Sequence, residues 1–270
     1  MFMDLALARR VERAEGTIGT SFTEVRQRVM PTVGALWRDF GGTYAIYDGV
    51  DSPMTQTFGL GMFEPATPDL LAVIEAFFNE RGAVPMHEVS PFAGVETFAL
   101  LAERGYRPME LSTVLVQPIE ARPAATSDLH VRRIERADHP AWIETAVRGW
   151  GEDPVIARVI RELTEVAVEN LAMTHFIVER AGVPIATGSL GLHEGIALLA
   201  GASTIPDGRG LGAQGLLLAS RLAEAHARGC DTALMVSAPG STSQRNAERR
   251  GFRVAYTRTK WRLAPVEHAR

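Results

Sequence analysis

The chain has 270 residues, 46% of them hydrophobic and 22% charged, with a formal net charge of −4. That make-up belongs to a globular protein of one large or two modest domains, and its interspersed acids and bases lack the basic stripe of a nucleic-acid binder. Cys230 is the single cysteine, which excludes an intrachain disulfide and suits a reducing cytoplasm, and no apolar run is long enough for a membrane span.

In chain order, helical patterns come first, around 3–15 and 21–40, and Asp4, Arg9, Arg10, Glu12 and Arg13 break the apolar core a secretory leader would need. An apolar helical pattern from Asp69 then ends at Gly82. Ahead of it stands Phe63-Glu-Pro-Ala-Thr-Pro68, with no glycine, two prolines lacking N–H donors, and a carboxylate. Leu101-Ala-Glu-Arg-Gly105-Tyr closes another short helix and leads into an alternating strand pattern from Glu110. The polar, proline-bearing stretch Glu120 to Asp128 has no hydrophobic period and reads as a linker.

Beyond it, a strand over 129–134 leads to a helix over 140–148. The loop Gly149-Trp150-Gly-Glu152-Asp153-Pro154 follows, then a second helix running to about Val168. Three antiparallel strands are expected at 175–179, 183–190 and 196–203, with turns at Arg180-Ala-Gly182 and His193-Glu-Gly195. The loop Thr204-Ile-Pro-Asp-Gly-Arg209-Gly-Leu-Gly212-Ala-Gln214 flows into a helix over 213–228 that stops at Gly229. A strand over 232–237, a Pro239-Gly240 break, a short helix over 243–250, Gly251-Phe252 and a β pattern from Ala255 complete the order.

The two halves echo each other. Leu101-Ala-Glu-Arg-Gly105-Tyr matches Asn246-Ala-Glu-Arg-Arg-Gly251-Phe with one residue inserted, and the interval from Gly82 to Gly105 nearly equals that from Gly229 to Gly251. A tandem duplication explains this, with domains at 1–122 and 129–270 and a linker at 123–128.

The glycine-spaced loop at 209–215 is built to hold an anion: backbone N–H groups at a helix start face one place, and glycines remove the Cβ atoms in the way. No Gly-Lys-Ser/Thr follows, so it is not a Walker loop. Gly210, Gly212 and Gly215 match the letters of the dinucleotide fingerprint, but Asp231 opens a strand where that fingerprint needs an acid closing one. Arg209-Gly-Leu-Gly212-Ala-Gln214, followed by the short helix and Gly251-Phe252, instead resembles the acetyl-CoA loop and the next motif of the GCN5-related N-acetyltransferase (GNAT) superfamily. Gln214 departs from the small residue usual at its place.

The resemblance implies an α/β (α+β) fold of two tandem GNAT-like domains, each a mixed, largely antiparallel sheet flanked by helices. The N-terminal copy, lacking the loop, is degenerate. In the C-terminal copy the resemblance implies that Ser203, Thr204 and Ile205 contact the pantetheine arm. It likewise implies that Arg209, Gly210, Leu211, Gly212, Ala213 and Gln214 hold the pyrophosphate, with Ser243 and Asn246 also near the coenzyme. The tyrosine that often serves the family as general acid is here Ala247; Tyr256 and Ser243 are the remaining catalytic candidates. Trp150, Glu152 and Asp153 occupy a loop where the family often meets the acceptor, and Glu88 is the corresponding residue of the first half. The implied function is acetyl transfer from acetyl-CoA to an amine of a small molecule or protein. A non-catalytic acyl-CoA-binding module, another acyl donor and a hydroxyl acceptor stay open. Seven histidines without ligand spacing imply no metal, and neither nucleic acid nor membrane is expected as a partner; a homodimer is compatible with the chain.

Overall fold

A computed structural model describes residues 3–121, 127–151 and 153–264. The chain forms two compact units. One takes Met1–Val116 together with Val236–Arg270, and the other takes Gln117–Met235.

The first unit opens with the long helix α1 (Leu5–Val29), capped by Asp4, whose carboxylate accepts from the Leu7 amide. Strands β1 (Leu36–Phe40), β2 (Thr43–Tyr47) and β3 (Gln56–Phe58) follow, then α2 (Pro68–Asn79), β4 (Met86–Val89), α3 (Val95–Glu103) and β5 (Tyr106–Pro118). The chain returns to this unit with α7 (Thr242–Glu248) and β11 (Arg253–Leu263). The sheet runs β1-β2-β3-β4-β11-β5, and only the β3–β4 pair is parallel. Its core gathers Leu71, Ile74, Phe77 and Phe78 of α2 against Tyr47, Val89 and Tyr106 of the sheet.

The second unit contains β6 (His130–Arg133), α4 (His139–Trp150), α5 (Pro154–Ala167), β7 (Met173–Arg180), β8 (Val183–His193), β9 (Ile196–Thr204), α6 (Ala213–Ala227) and β10 (Thr232–Ser237). The order is β10-β9-β8-β7-β6, antiparallel except for β9–β10. Thr187 of β8 bonds Ser203 beside Ala146 of α4, whereas its neighbour Gly188 faces Leu217 and Arg221 of α6. Successive strand residues point to opposite faces, so α4 and α6 cover opposite faces of this sheet. Each unit therefore holds a mixed, largely antiparallel sheet with helices, as the motifs led one to expect.

Three expectations are corrected. The helical patterns at 3–15 and 21–40 are one helix, α1, followed by β1. Gly16 and Gly19 do not break α1, because they let it approach Tyr44 and Ile46, where an added Cβ would sit 2.8 Å from each side chain; Pro31, just beyond its end, starts a separate one-turn helix. The helix expected over 140–148 continues through Gly149 and Trp150. The cut at 122/129 divides the chain differently from its compact units: β11, which belongs to the second repeat, pairs with β4 and β5 of the first. Most of the proposed linker, 122–126, lies outside the described residues. Among the described residues, no helix is long and apolar enough to cross a membrane.

Candidate functional site

The strongest constellation in the second unit lies where β9 gives way to α6. Strands β9 and β10 are paired only over Ile196–Leu198 with Thr232–Leu234, so the β10-facing edge of β9 is open from Leu199 onward. On its other side β9 carries a bulge. Thr187 pairs with Ser203 and Ser189 with Ala200, leaving Gly201 and Ala202 opposite the single residue Gly188. Gly201 has φ +59, a value that suits glycine, and both bulge residues are exposed.

A one-turn helix, Pro206–Gly208, turns the chain into Arg209–Gly212. Gly210 and Gly212 take φ +76 and +84, and a Cβ on either would meet no atom within 4 Å, so the space in front of the loop is open. Among the described residues, the amides of Gly210, Leu211, Gly212, Ala213 and Gln214 find no backbone or side-chain acceptor. Gly212 caps α6 without a side chain to accept from the first turn. A row of free donors at the positive end of a fifteen-residue helix is a site for an anion. Arg209 stands exposed beside it, one Nη donating a long bond of 3.5 Å to the Gly149 carbonyl. The N-terminal copy differs at the matching place: Thr67 caps α2 through its own hydroxyl, which accepts from Leu70 N at 3.1 Å, and Pro68 has no N–H.

The remaining proposed residues separate into those near this loop and those bound up elsewhere. Ser203 is buried, its hydroxyl 3.0 Å from that of Thr187 and donating to the Ala146 carbonyl at 3.4 Å, so it faces α4. Ile205 is buried and its amide donates to the Ile185 carbonyl at 3.0 Å. The Gln214 side chain reaches back instead of outward: Nε2 donates to the Ser203 carbonyl at 3.0 Å and to the Thr204 hydroxyl at 2.8 Å. Its side-chain donor therefore ties α6 to the end of β9, and only its backbone amide is left for a ligand. Ser243 and Asn246 lie on α7 in the first unit; Asn246 accepts a 3.5 Å bond from Arg249.

The weaker candidates fare as follows. Tyr256 is buried on β11, where its hydroxyl donates to Glu12 Oε1 at 2.7 Å; burial, then the neighbouring Glu12 charge, raises its pKa far above the ordinary phenol value. It is a poor proton donor. Glu88 is buried, accepts from the Ser112 hydroxyl and lies 3.8 Å from the Lys260 ammonium. Asp153 caps α5, its Oδ1 accepting from Val155 N at 2.8 Å and Ile156 N at 3.1 Å. Trp150 ends α4 with half its surface exposed, and Glu152 lies outside the described residues. No cluster of three or more His, Cys, Asp or Glu side chains suited to a metal occurs among the described residues.

Sequence reasoning missed several residues that shape the site. Gly149 lets α4 press onto β9, since a Cβ there would come within 2.5 Å of Ser203 Oγ and 2.9 Å of Thr204 N. Gly208 seats the loop on β8, where a Cβ would fall 2.9 Å from Ile185 Cβ. A glycine inside a helical pattern was the available signal for the first; nothing local marked the second.

No protein-family model and no curated protein matches the chain. Solved structures do. The chain superposes on a GCN5-related N-acetyltransferase from Kribbella flavida with TM-score 0.66 and 17% identity, covering 94% of this chain and 96% of that one. A tandem GNAT protein from the clavulanic acid biosynthesis pathway matches with TM-score 0.58 and 12% identity, over 85% of this chain and 82% of its own. A GCN5-related N-acetyltransferase from Sphaerobacter thermophilus matches with TM-score 0.56 and 16% identity, covering 78% and 72%. The open strand edge, the bulge and the uncapped glycine loop thus sit in a chain that has the fold of the GCN5-related N-acetyltransferases.

Proposed function

We propose that the chain is an acyltransferase that takes an acetyl group from acetyl-CoA and delivers it to an amine of a small molecule or of a protein. The observation that carries this reading is the row of acceptor-free amides from Gly210 to Gln214, opening on unfilled space beside the open edge of β9. These residues fit a diphosphate: five N–H donors, a helix N-terminus and the Arg209 guanidinium are all matched to anionic oxygens. The exposed backbone of β9 beyond Leu198 offers strand-like hydrogen bonds to an extended amide-bearing chain. Acetyl-CoA would supply an activated thioester open to attack by a neutral amine.

The chain's own contribution is then chiefly placement. Ala247, buried on α7, stands where a tyrosine acid would be expected, and Tyr256 is engaged with Glu12. Rate acceleration accordingly rests on holding the two reactants together, which in favourable geometries supplies about 7–11 kcal/mol of the barrier. Trp150, exposed at the end of α4, is the side chain best suited to form a wall for the acceptor.

The test is coenzyme-induced thermal stabilisation, compared between the wild-type chain and two loop variants. Gly212→Glu adds a carboxylate and a strained Cβ at φ +84 and should abolish the stabilisation. Arg209→Ala, a change at an exposed side chain, should weaken coenzyme binding about tenfold while leaving the unfolding temperature of the free protein unchanged. Full stabilisation of both variants would refute the loop assignment.

A second reading, a non-catalytic acyl-CoA-binding module, is favoured by Ala247. Coenzyme binding without turnover on a panel of peptides, polyamines and aminoglycosides would select it. The mass added to an acceptor would identify a different acyl group or a hydroxyl acceptor.

A further inference from the structure

Arg221 of α6 is buried at 3% exposure with no carboxylate partner among the described residues. Its guanidinium lies under the β9 bulge. Nη1 donates to the carbonyls of Ser189 at 3.1 Å and Ala200 at 3.4 Å, and Nε donates to Leu217 O at 3.3 Å. Ser189 and Ala200 are the cross-strand pair on one side of the bulge. The room for the guanidinium comes from Gly188, the residue opposite the bulge; a Cβ there would lie 2.8 Å from Leu217 and 3.2 Å from Arg221 Nη1.

An unpaired buried cation is costly, and desolvation lowers the pKa of this arginine to about 10. The surrounding face of α6 is otherwise apolar, with Leu217, Leu218, Leu222 and Ala225 buried. A leucine or methionine would fill such a place without the desolvation penalty. What the arginine adds is a rigid fork that holds two carbonyls of adjacent strands at the point where the ladder is interrupted. The bulge in turn decides how β9 leaves the sheet between Gly201 and Thr204, the stretch whose outer edge is open.

We propose that Arg221 is a positioning residue for the coenzyme's pantetheine arm: by clamping the Ser189 and Ala200 carbonyls it sets the course of the β9 edge on which that arm is laid. This rests on the acetyl-CoA reading of the same site, and the experiment keeps the two apart. Two ligands are titrated calorimetrically into the wild type and into Arg221→Met and Arg221→Lys. One is coenzyme A. The other is adenosine 3′-phosphate 5′-diphosphate, which carries the diphosphate but no pantetheine.

For Arg221→Met, coenzyme A should bind about tenfold more weakly, the shorter nucleotide should bind as to the wild type, and Lys should recover part of the loss. KM for the acyl donor should rise while kcat is less affected. Equal weakening of both ligands would mean a general loosening of the unit, and unchanged affinity for both would mean that the clamp is irrelevant to the arm; either result overturns the proposal. Should Met prove insoluble, Gly188→Ala, which crowds the guanidinium from the other side, is required to show the same selective loss. Failure of the wild type to bind either ligand would instead refute the acetyl-CoA reading itself.

Discussion

Gly149 is where α4 comes to rest on β9, and the contact leaves no space for a side chain. Gly149→Val should lift the end of α4 from Ser203 and Thr204, lowering stability by about 1–3 kcal/mol and weakening coenzyme binding, read by chemical denaturation and titration. Two histidines give a pH signature. Desolvation holds His175 to a pKa of about 4 and His87 to about 3, whereas in the unfolded chain each titrates near about 6.5. Between those values the unfolded chain binds more protons. Stability therefore falls as pH drops below about 6.5, by up to about 1.4 kcal/mol per pH unit for each histidine. Glu12, whose carboxyl is raised by burial, works in the opposite sense, so the comparison is with His175→Gln at each pH. That variant should lose stability less steeply between pH 7 and 5; an unchanged slope would mean that His175 does not stay neutral. Residue type and spacing made the loop at 209–214 legible. They did not reveal that Gln214 turns inward, because that depends on where Ser203 O and Thr204 Oγ1 fall in space.

At the level of elements, α1 and β11 are joined by a buried charged cluster. Arg258, 1% exposed, donates to Glu12 Oε1 at 2.9 Å and to Glu15 Oε2 at 2.5 Å, while Tyr256 shares Glu12 Oε1. Removing one member strands the others. Arg258→Leu should destabilise the first unit by about 3–5 kcal/mol, and combining it with Glu12→Leu should recover much of the loss, as urea unfolding of the single and double variants would show. The long periodic helices α2 and α6 and the strands β7 to β10 were readable because their apolar periods and glycine stops agree. The first four strands were not. They are short, three to five residues each, and β3 carries Gln56 and Thr57 inside the unit, so no alternation of apolar and polar residues marks it.

For the molecule as a whole, the repeated motifs disclosed two copies, yet the order of repeats is not the order of packing. Pairing of β11 between β4 and β5 takes the last described strand of the second copy into the sheet of the first. Repeat matching along a sequence cannot show this, since a strand looks the same whichever neighbour receives it. A fragment ending at residue 122 should therefore lack the slowly exchanging amides of β4 and β5 that the full chain protects, as measured by hydrogen exchange. Native-like protection in that fragment would show β11 to be dispensable.

The same pairing has a bearing on biosynthesis. Translation completes Val116 long before it reaches Leu263, so β4 and β5 emerge with facing hydrogen-bonding edges and nothing between them. During that interval the nascent chain presents a vacant slot for a strand. Other extended segments, from a chaperone or a neighbouring polypeptide, compete for it until the rightful occupant leaves the ribosome.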